Sequence, residues 1–290
     1  MIKIAIFGSC HQINKENQIK TLFSFLKNRN YYVIVEKEFS EYLQSQFNID
    51  IISEVIVDNN FSADIALSIG GDGTFLRTAR FVENKNIPIL GINAGRLGFL
   101  ADIPLNDINK AIEAITNRDY YIEERTLIQM EITNYDSEYI KYGLNEVAIL
   151  KNYNSSMITI KVDIDNNYLN SYEADGLIIS TPTGSTGYSL SVGGPIIEPS
   201  CHNMVISPVA PHSLTTRPLV ISDNYTLKIN TQSRVDSYQV SIDGNSYTLN
   251  KNNTIIVKKA PFKLSVIKIK GHTFYDTLRD KLMWGIDKRI

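Results

Sequence analysis

Apolar and polar positions follow two different rhythms along this chain. In the first third, Ile2–Phe7 is a continuous apolar run that ends at Gly8. Residues 15–28 then carry Ile19, Leu22, Phe23 and Leu26 at helical spacing, with Lys and Asn opposite. Tyr31–Val35, Ile65–Ile69 and Ile87–Ile92 read as further short buried strands. Helical spacing resumes after Thr74 with Phe75, Leu76, Ala79 and Val82, and again in 105–117 with Ile108, Ile112 and Ile115. Short apolar strands separated by amphipathic helices predict a parallel sheet with helices on both faces.

Near residue 120 the rhythm changes. Leu127–Ile132, Ile140–Leu150, Met157–Ile164, Leu177–Ser180, Tyr225–Ile229, Tyr238–Ile242, Thr254–Val257 and Leu264–Ile269 read as strands with turns between them. Asp165-Asn166-Asn167 and Asp243-Gly244-Asn245 are hairpin turns, since these residue types tolerate positive φ. The tail Phe274–Gly285, with Leu278, Leu282, Met283 and Trp284, has helical spacing. The expected organisation is an α/β domain over 1–120 with a Rossmann-like parallel sheet, followed by an all-β sandwich over 121–273. A terminal helix within 274–290 is expected to pack back on the first domain. No Pro/Gly/Ser tether marks the boundary.

Composition narrows the function classes. In 290 residues, 43% are apolar and 21% charged, the balance of a soluble globular protein. A net charge of -2 gives no electrostatic case for nucleic acid or an anionic membrane. No apolar run approaches the ~18 residues of a membrane span. The first apolar strand is too short for a secretion signal with a cleavage site. Cys10 and Cys201 form no disulfide framework, and the four histidines lack metal-ligand spacing. A reduced, cytoplasmic protein without structural metal is expected.

Two loops carry the chemistry. The strand ending at Ile69 delivers Gly70-Gly71-Asp72-Gly73-Thr74 to a helix start, where bare amides and the helix dipole suit phosphate. Asp72 would repel that anion unless it binds Mg²⁺ or accepts a proton from an attacking hydroxyl; the alternative is a turn residue that caps the helix. Arg77, one turn on, could offer phosphate a fork of donors. The loop is neither GxxxxGK[ST] nor GxGxxG. Asn145-Glu146 lies inside an apolar strand, where neighbours face opposite sides and only one should face a cleft; the alternative is a bulge or strand end with both residues solvated. Asp175 stands at the entrance to the next strand, suited to ribose hydroxyls or a carboxamide. Thr181 to Ser191 then brings six Ser/Thr hydroxyls in eleven residues, with Tyr188 able to stack on a ring. The alternative for that run is a plain polar loop. A Ser-His-Asp hydrolase reading fails, because Thr183-Gly184-Ser185-Thr186-Gly187 is not GxSxG.

These residues, with Gly91–Leu100, Pro208–Leu214, Arg217-Pro218-Leu219-Val220 and Ser241-Ile242-Asp243-Gly244, resemble the motif set of bacterial NAD kinases from about 64 to 285. GGDGT alone is shared with phosphofructokinases and with diacylglycerol and sphingosine-type lipid kinases. The TPTGSTGYSLS run is far more specific. The resemblance implies transfer of the γ-phosphate of ATP to the 2′-hydroxyl of the adenosine ribose of NAD, giving NADP. It also implies Mg²⁺ or another divalent metal, with no protein ligand assigned to it, and a homodimer or homotetramer. By position, Asp72 would be the catalytic base, with Gly73 beside the phosphates and Arg77 facing one of them. Phe99 would pack near adenine, and Asn145 and Glu146 would hold adenine and ribose. Asp175 would hold the nicotinamide-side ribose or amide. Thr183 and Thr186, Gly187, Tyr188, Ser189, Leu190 and Ser191 would line the dinucleotide, with Ala210 as a backbone contact and Asn245 following the Asp-Gly turn. Glu173 and Ala174 stand where the family commonly has a basic residue, and Asn245 replaces a longer amide. The competing readings are a lipid kinase with the same GGDGT loop and a non-catalytic NAD(P)-binding sensor.

Overall fold

The computed structural model describes residues 2–11, 13–49, 54–135, 139–152 and 156–285. Contacts divide the chain into two compact units, Met1–Glu124 with Leu264–Ile290, and Arg125–Lys263. Unit 1 contains β1 (Lys3–Gly8), α1 (Glu16–Asn28), β2 (Tyr32–Glu36), α2 (Lys37–Phe47), β3 (Glu54–Ile56), β4 (Ile65–Gly70), α3 (Asp72–Val82), β5 (Ile89–Asn93), β6 (Ile103–Pro104) and α4 (Ile108–Thr116). Its strands are parallel in the order β3-β2-β1-β4-β5. Successive strand residues point to opposite faces. Ile4 and Ile6 therefore meet Ile19, Leu22 and Leu26 of α1 and Ile108, Ile112 and Ile115 of α4 in one core. Phe7 faces the other way, against Phe81 of α3, with ring centroids 5.2 Å apart. Both sheet faces are thus covered, as the alternating rhythm requires. Each fully buried side chain of this size contributes roughly 1.5–3 kcal/mol through its apolar area.

The helix α2 escapes the apolar pattern. Phe39, Leu43 and Phe47 are its buried residues, four apart, with Tyr42 packed beside them, and the polar positions between them mask that narrow stripe.

Unit 2 is built from β7 (Tyr120–Thr133) from Arg125 on, β8 (Tyr139–Gly143), β9 (Glu146–Leu150), β10 (Ile158–Ile164), β11 (Asn167–Ala174), β12 (Gly176–Ser180), the one-turn α5 (Tyr188–Ser191), β13 (Asn203–Val209), β14 (Leu219–Ser222), β15 (Leu227–Gln232), β16 (Tyr238–Ile242), β17 (Asn245–Leu249) and the first part of β18 (Thr254–Ile269). One sheet runs β14-β13-β12-β9-β16-β17, antiparallel throughout. The other joins β11, β10, β15 and β18, and β7 pairs with β18 and β8. Inward residues of both sheets, among them Val147, Ile149 and Ile179 on one and Ile160, Ile229 and Val257 on the other, share one core. That is a sandwich.

Three expectations change here. Ile140–Leu150 is two strands, because the chain leaves the sheet between Gly143 and Glu146. Thr254–Val257 and Leu264–Ile269 are one strand: the charges and Pro261 between them interrupt the alternation without ending the pairing. Residues 264–273, expected with the second domain, lie in unit 1, because β18 carries Val266 to pair with Ile89 of β5 and Ile267 into the unit 1 core. The terminal helix is α6 (Phe274–Leu282), ended by Met283 at φ 53°. Leu278 is buried, while Leu282, Met283 and Trp284 stay exposed. Residues 286–290 of the expected tail lie outside the described ones. Among the described residues no helix is long and apolar enough to cross a membrane.

Candidate active site

Asp72 is the first residue of α3, after the extended Gly71. Its carboxylate lies in a nest of main-chain donors. Phe99 N–H donates to Oδ2 at 3.0 Å, and the N–H groups of Leu100 and Ala101 donate to Oδ1 at 2.9 and 3.1 Å. Gly98 explains why the loop can come so close, since a Cβ there would stand 2.0 Å from Oδ1. The loop itself is shaped by buried Asn93, a residue the sequence motifs do not single out. Its amide donates to the carbonyl of Arg96 and, at 3.3 Å, to that of Ala101, while Gly95 N–H donates to its Oδ1 at 2.6 Å. Gly73 beside Asp72 faces open space, which leaves room for a ligand against the backbone.

Arg77 points elsewhere. Its guanidinium donates to Glu36 at 3.2 Å, to Glu38 at 3.0 Å and to the carbonyl of Gly8. Glu36 is buried, and burial raises its carboxyl above the usual range while the Arg77 charge pulls it back. The fork expected to meet phosphate is therefore spent on tying α3 to the ends of β1 and β2.

In unit 2, Asn145 and Glu146 sit where the chain turns from β8 into β9. Because Asn145 lies in this break, strand alternation does not separate the pair, and both side chains face Gly187. A Cβ on Gly187 would stand 3.1 Å from Glu146 Oε2 and 3.4 Å from Asn145 Nδ2. One residue facing the cleft was expected; the bend brings two. The bend is clamped by Asp243, which accepts from Leu144 N–H at 2.6 Å, Asn145 N–H at 2.9 Å and Glu146 N–H at 3.1 Å. Asn145 Oδ1 and Glu146 Oε2 are buried without a hydrogen-bond partner among the described residues. Buried polar atoms are normally satisfied, which makes these two candidate contacts for a polar ligand.

Burial, and then the Asp243 charge, push the Glu146 carboxyl up to about 7, against the Tyr188 N–H that favours the anion. The fold therefore holds a proton that the unfolded chain has released, and stability falls as pH rises from the ordinary value of 4.5 to about 7. Thermal melts of the unliganded protein should fall across this window and level off above it. Glu146→Gln should lack that part of the decline; equal slopes in both proteins would refute the assignment.

The run from Thr181 to Ser191 behaves differently from its reading as a row of ligand-facing hydroxyls. Thr181 Oγ1 donates to Leu144 O at 2.6 Å and accepts from Gly184 N–H at 3.1 Å. Ser185 Oγ donates to Pro182 O at 2.6 Å and accepts from Ile197 N–H at 3.0 Å. Thr186 Oγ1 donates to Thr183 O at 3.2 Å, Ser189 pairs with Ser207 at 3.0 Å, and Thr183 Oγ1 accepts from buried Arg125 at 3.2 Å. The hydroxyls set the shape of the loop. The surface it offers is Thr186, Gly187, Leu190 and the exposed Tyr188 and Ser191. Asp175 pairs with Lys151 at 2.8 Å, so a cation does stand beside the Asp-Gly step where Glu173 and Ala174 supply none. Ala210 holds a left-handed φ of 43°, unusual for a residue with a side chain. Asn245 opens β17, its amide donating to Ile242 O at 3.3 Å.

Residues 5–120 match the ATP-NAD kinase N-terminal domain, and 144–269 match the ATP-NAD kinase C-terminal domain. The chain belongs to the NAD kinase family. An NAD kinase of Bacteroides fragilis is 46% identical over 290 residues, covering 100% of both chains. An NAD kinase of Flavobacterium johnsoniae is 42% identical, covering 99% of this chain and 100% of its own. Among solved structures, yeast NADH kinase complexed with NADH superposes with a TM-score of 0.91 at 19% identity, covering 100% of this chain and 89% of that one. An NAD kinase from Archaeoglobus fulgidus in complex with ATP gives 0.74 at 23%, covering 97% and 99%. These two likenesses show the NAD kinase fold, an α/β domain and an antiparallel β domain, in line with the two sequence rhythms.

Proposed function

We propose that this chain is an NAD kinase that transfers the γ-phosphate of ATP to the 2′-hydroxyl of the adenosine ribose of NAD, giving NADP and ADP. The observation that carries the reading is the Asp72 carboxylate, held by three main-chain N–H groups beside an open glycine. The ribose oxygen attacks the γ-phosphorus, Asp72 takes its proton, and the bond from that phosphorus to the β-bridging oxygen breaks as ADP leaves. In such transfers positioning and charge stabilisation supply most of the rate.

Asn145 and Glu146 take the adenosine half through their unpartnered oxygens. Asp175, already paired with Lys151, takes the nicotinamide-side ribose or carboxamide. Thr186 to Ser191 line the dinucleotide, with the backbone of Ala210 and the shorter amide of Asn245 beside it. Phe99 lies against adenine. Among the described residues no three His, Cys, Asp or Glu side chains are grouped to hold a metal. A divalent cation carried on the ATP phosphates fits that donor set, since Mg²⁺ is commonly held by substrate phosphates and water; there it would neutralise charge on the transferring group. The proposed state is a cytoplasmic homo-oligomer.

Purified protein with NAD, ATP and Mg²⁺ should form NADP, read by an NADP-specific dehydrogenase, at a rate that requires both nucleotides. No NADP with any divalent cation would overturn the reading.

A further inference from the structure

A carboxylate offers about four lone-pair positions, and Asp72 has all of them engaged. Three face the N–H groups of Phe99, Leu100 and Ala101. The fourth contact is the ammonium of Lys281, 3.3 Å from Oδ2. The amides belong to a loop fastened by Asn93. Lys281 is a flexible four-carbon stem. An acceptor hydroxyl can therefore reach Asp72 most readily at the edge the ammonium occupies.

Lys281 is delivered there by a well-defined helix. The side chain of Thr273 caps α6 by accepting from Asp276 N–H at 3.3 Å, and the Asp276 carboxylate returns the bond to Thr273 N–H at 2.9 Å. Phe274 and Lys281, seven positions apart, fall on one face two turns apart. Both touch the same ring: the Phe274 and Phe99 centroids are 6.1 Å apart, and the Lys281 ammonium stands 4.9 Å from the Phe99 centroid. Phe99 in turn gives its N–H to Asp72. One face of α6 thus grips both the carboxylate and the residue beside it. Lys281 and Asp72 are each about a third exposed (31% and 30%), a setting in which an ion pair adds little to stability.

We propose that Lys281 is a positioning residue for phosphoryl transfer: its ammonium holds the edge of Asp72 that the main-chain amides leave and the Phe99 ring in line, and yields that edge to the incoming hydroxyl. The proposal rests on Asp72 as the proton acceptor.

The test compares Lys281→Met, Lys281→Arg and Thr273→Ala with the parent by steady-state kinetics and by hydrogen exchange. Lys281→Met should lower kcat about fivefold or more, the scale of one partly exposed charge contact, with the KM for NAD within about twofold. Lys281→Arg should recover most of the rate. In Lys281→Met the amides of Phe99, Leu100 and Ala101 should exchange faster, with the rest of unit 1 unchanged. Thr273→Ala, which loosens the start of α6 and leaves the charge, should not reproduce the kcat loss. A parental kcat in Lys281→Met overturns the proposal. So does a raised kcat, the mark of an inhibitory contact, or an equal loss in Lys281→Arg. The exchange readout does not depend on turnover, so unchanged protection overturns the positioning role even in a protein that makes no NADP.

Discussion

Asp72→Asn should lower kcat for NADP formation by roughly 10²–10⁴-fold, the usual cost of removing a general base. The substitution keeps the size of the side chain and removes its ability to take the proton of the 2′-hydroxyl. It has a second effect that the geometry makes explicit. Both carboxylate oxygens accept main-chain N–H groups, so the nitrogen of the introduced amide must face at least one donor. Part of the loop from Phe99 to Ala101 would loosen. Measuring the NAD dissociation constant and the melting temperature beside kcat separates the two effects. Loss of the base lowers kcat with binding nearly kept, whereas loss of the loop alone weakens binding in step. A variant as active as the parent would refute the assigned chemistry.

Asp243→Ala should be the most damaging change in unit 2. One carboxylate takes the N–H groups of Leu144, Asn145 and Glu146, and removing it leaves three donors without their anion. Bonds to charged groups contribute about 1.5–3 kcal/mol each, and they are not additive on one carboxylate, so a loss of roughly 2–4 kcal/mol is expected in denaturant unfolding. The KM for NAD should rise more than about tenfold, because the bend presents both Asn145 and Glu146. The same change removes one of the two causes that raise Glu146, so the pH dependence of stability between 4.5 and about 7 should shrink as well. A drop in stability with an unchanged KM would separate the clamp from the binding role.

The contrast between Asp72 and Asp243 shows how far the sequence can be read. Both sit next to glycine, and GGDG reads as chemistry because a lone carboxylate beside phosphates has few other uses. Asp243 reads as part of a hairpin turn, and the resemblance that includes it assigns it no role. Its partners are 97 to 99 positions away, and no local pattern reports a bond of that range. The strands of unit 1 are legible as continuous apolar runs because both faces of its sheet are buried, and those of unit 2 as alternating runs. α2 is not, because Phe39, Leu43 and Phe47 recur only every fourth residue among mostly polar ones. The TPTGSTGYSLS loop stands out by its hydroxyls. What those hydroxyls do does not follow from the sequence, since polarity alone does not distinguish a side chain that meets a ligand from one that folds its own loop. Lys151 and Lys281 carry no signal, because each acquires its partner only through tertiary packing.

Unit 1 is interrupted in the chain: its sheet and core draw on Val266 and Ile267, and α6 follows, after the whole of unit 2. During synthesis the ribosome must therefore make the intervening ~140 residues, at 5–20 residues per second roughly 7–28 s of translation, before unit 1 can close. Unit 2 is contiguous and can complete its sandwich first. The usual order, in which the amino-terminal domain matures first, is inverted. The Asp72 loop waits for α6, so a chain still on the ribosome can hold a finished unit 2 before it holds a finished unit 1.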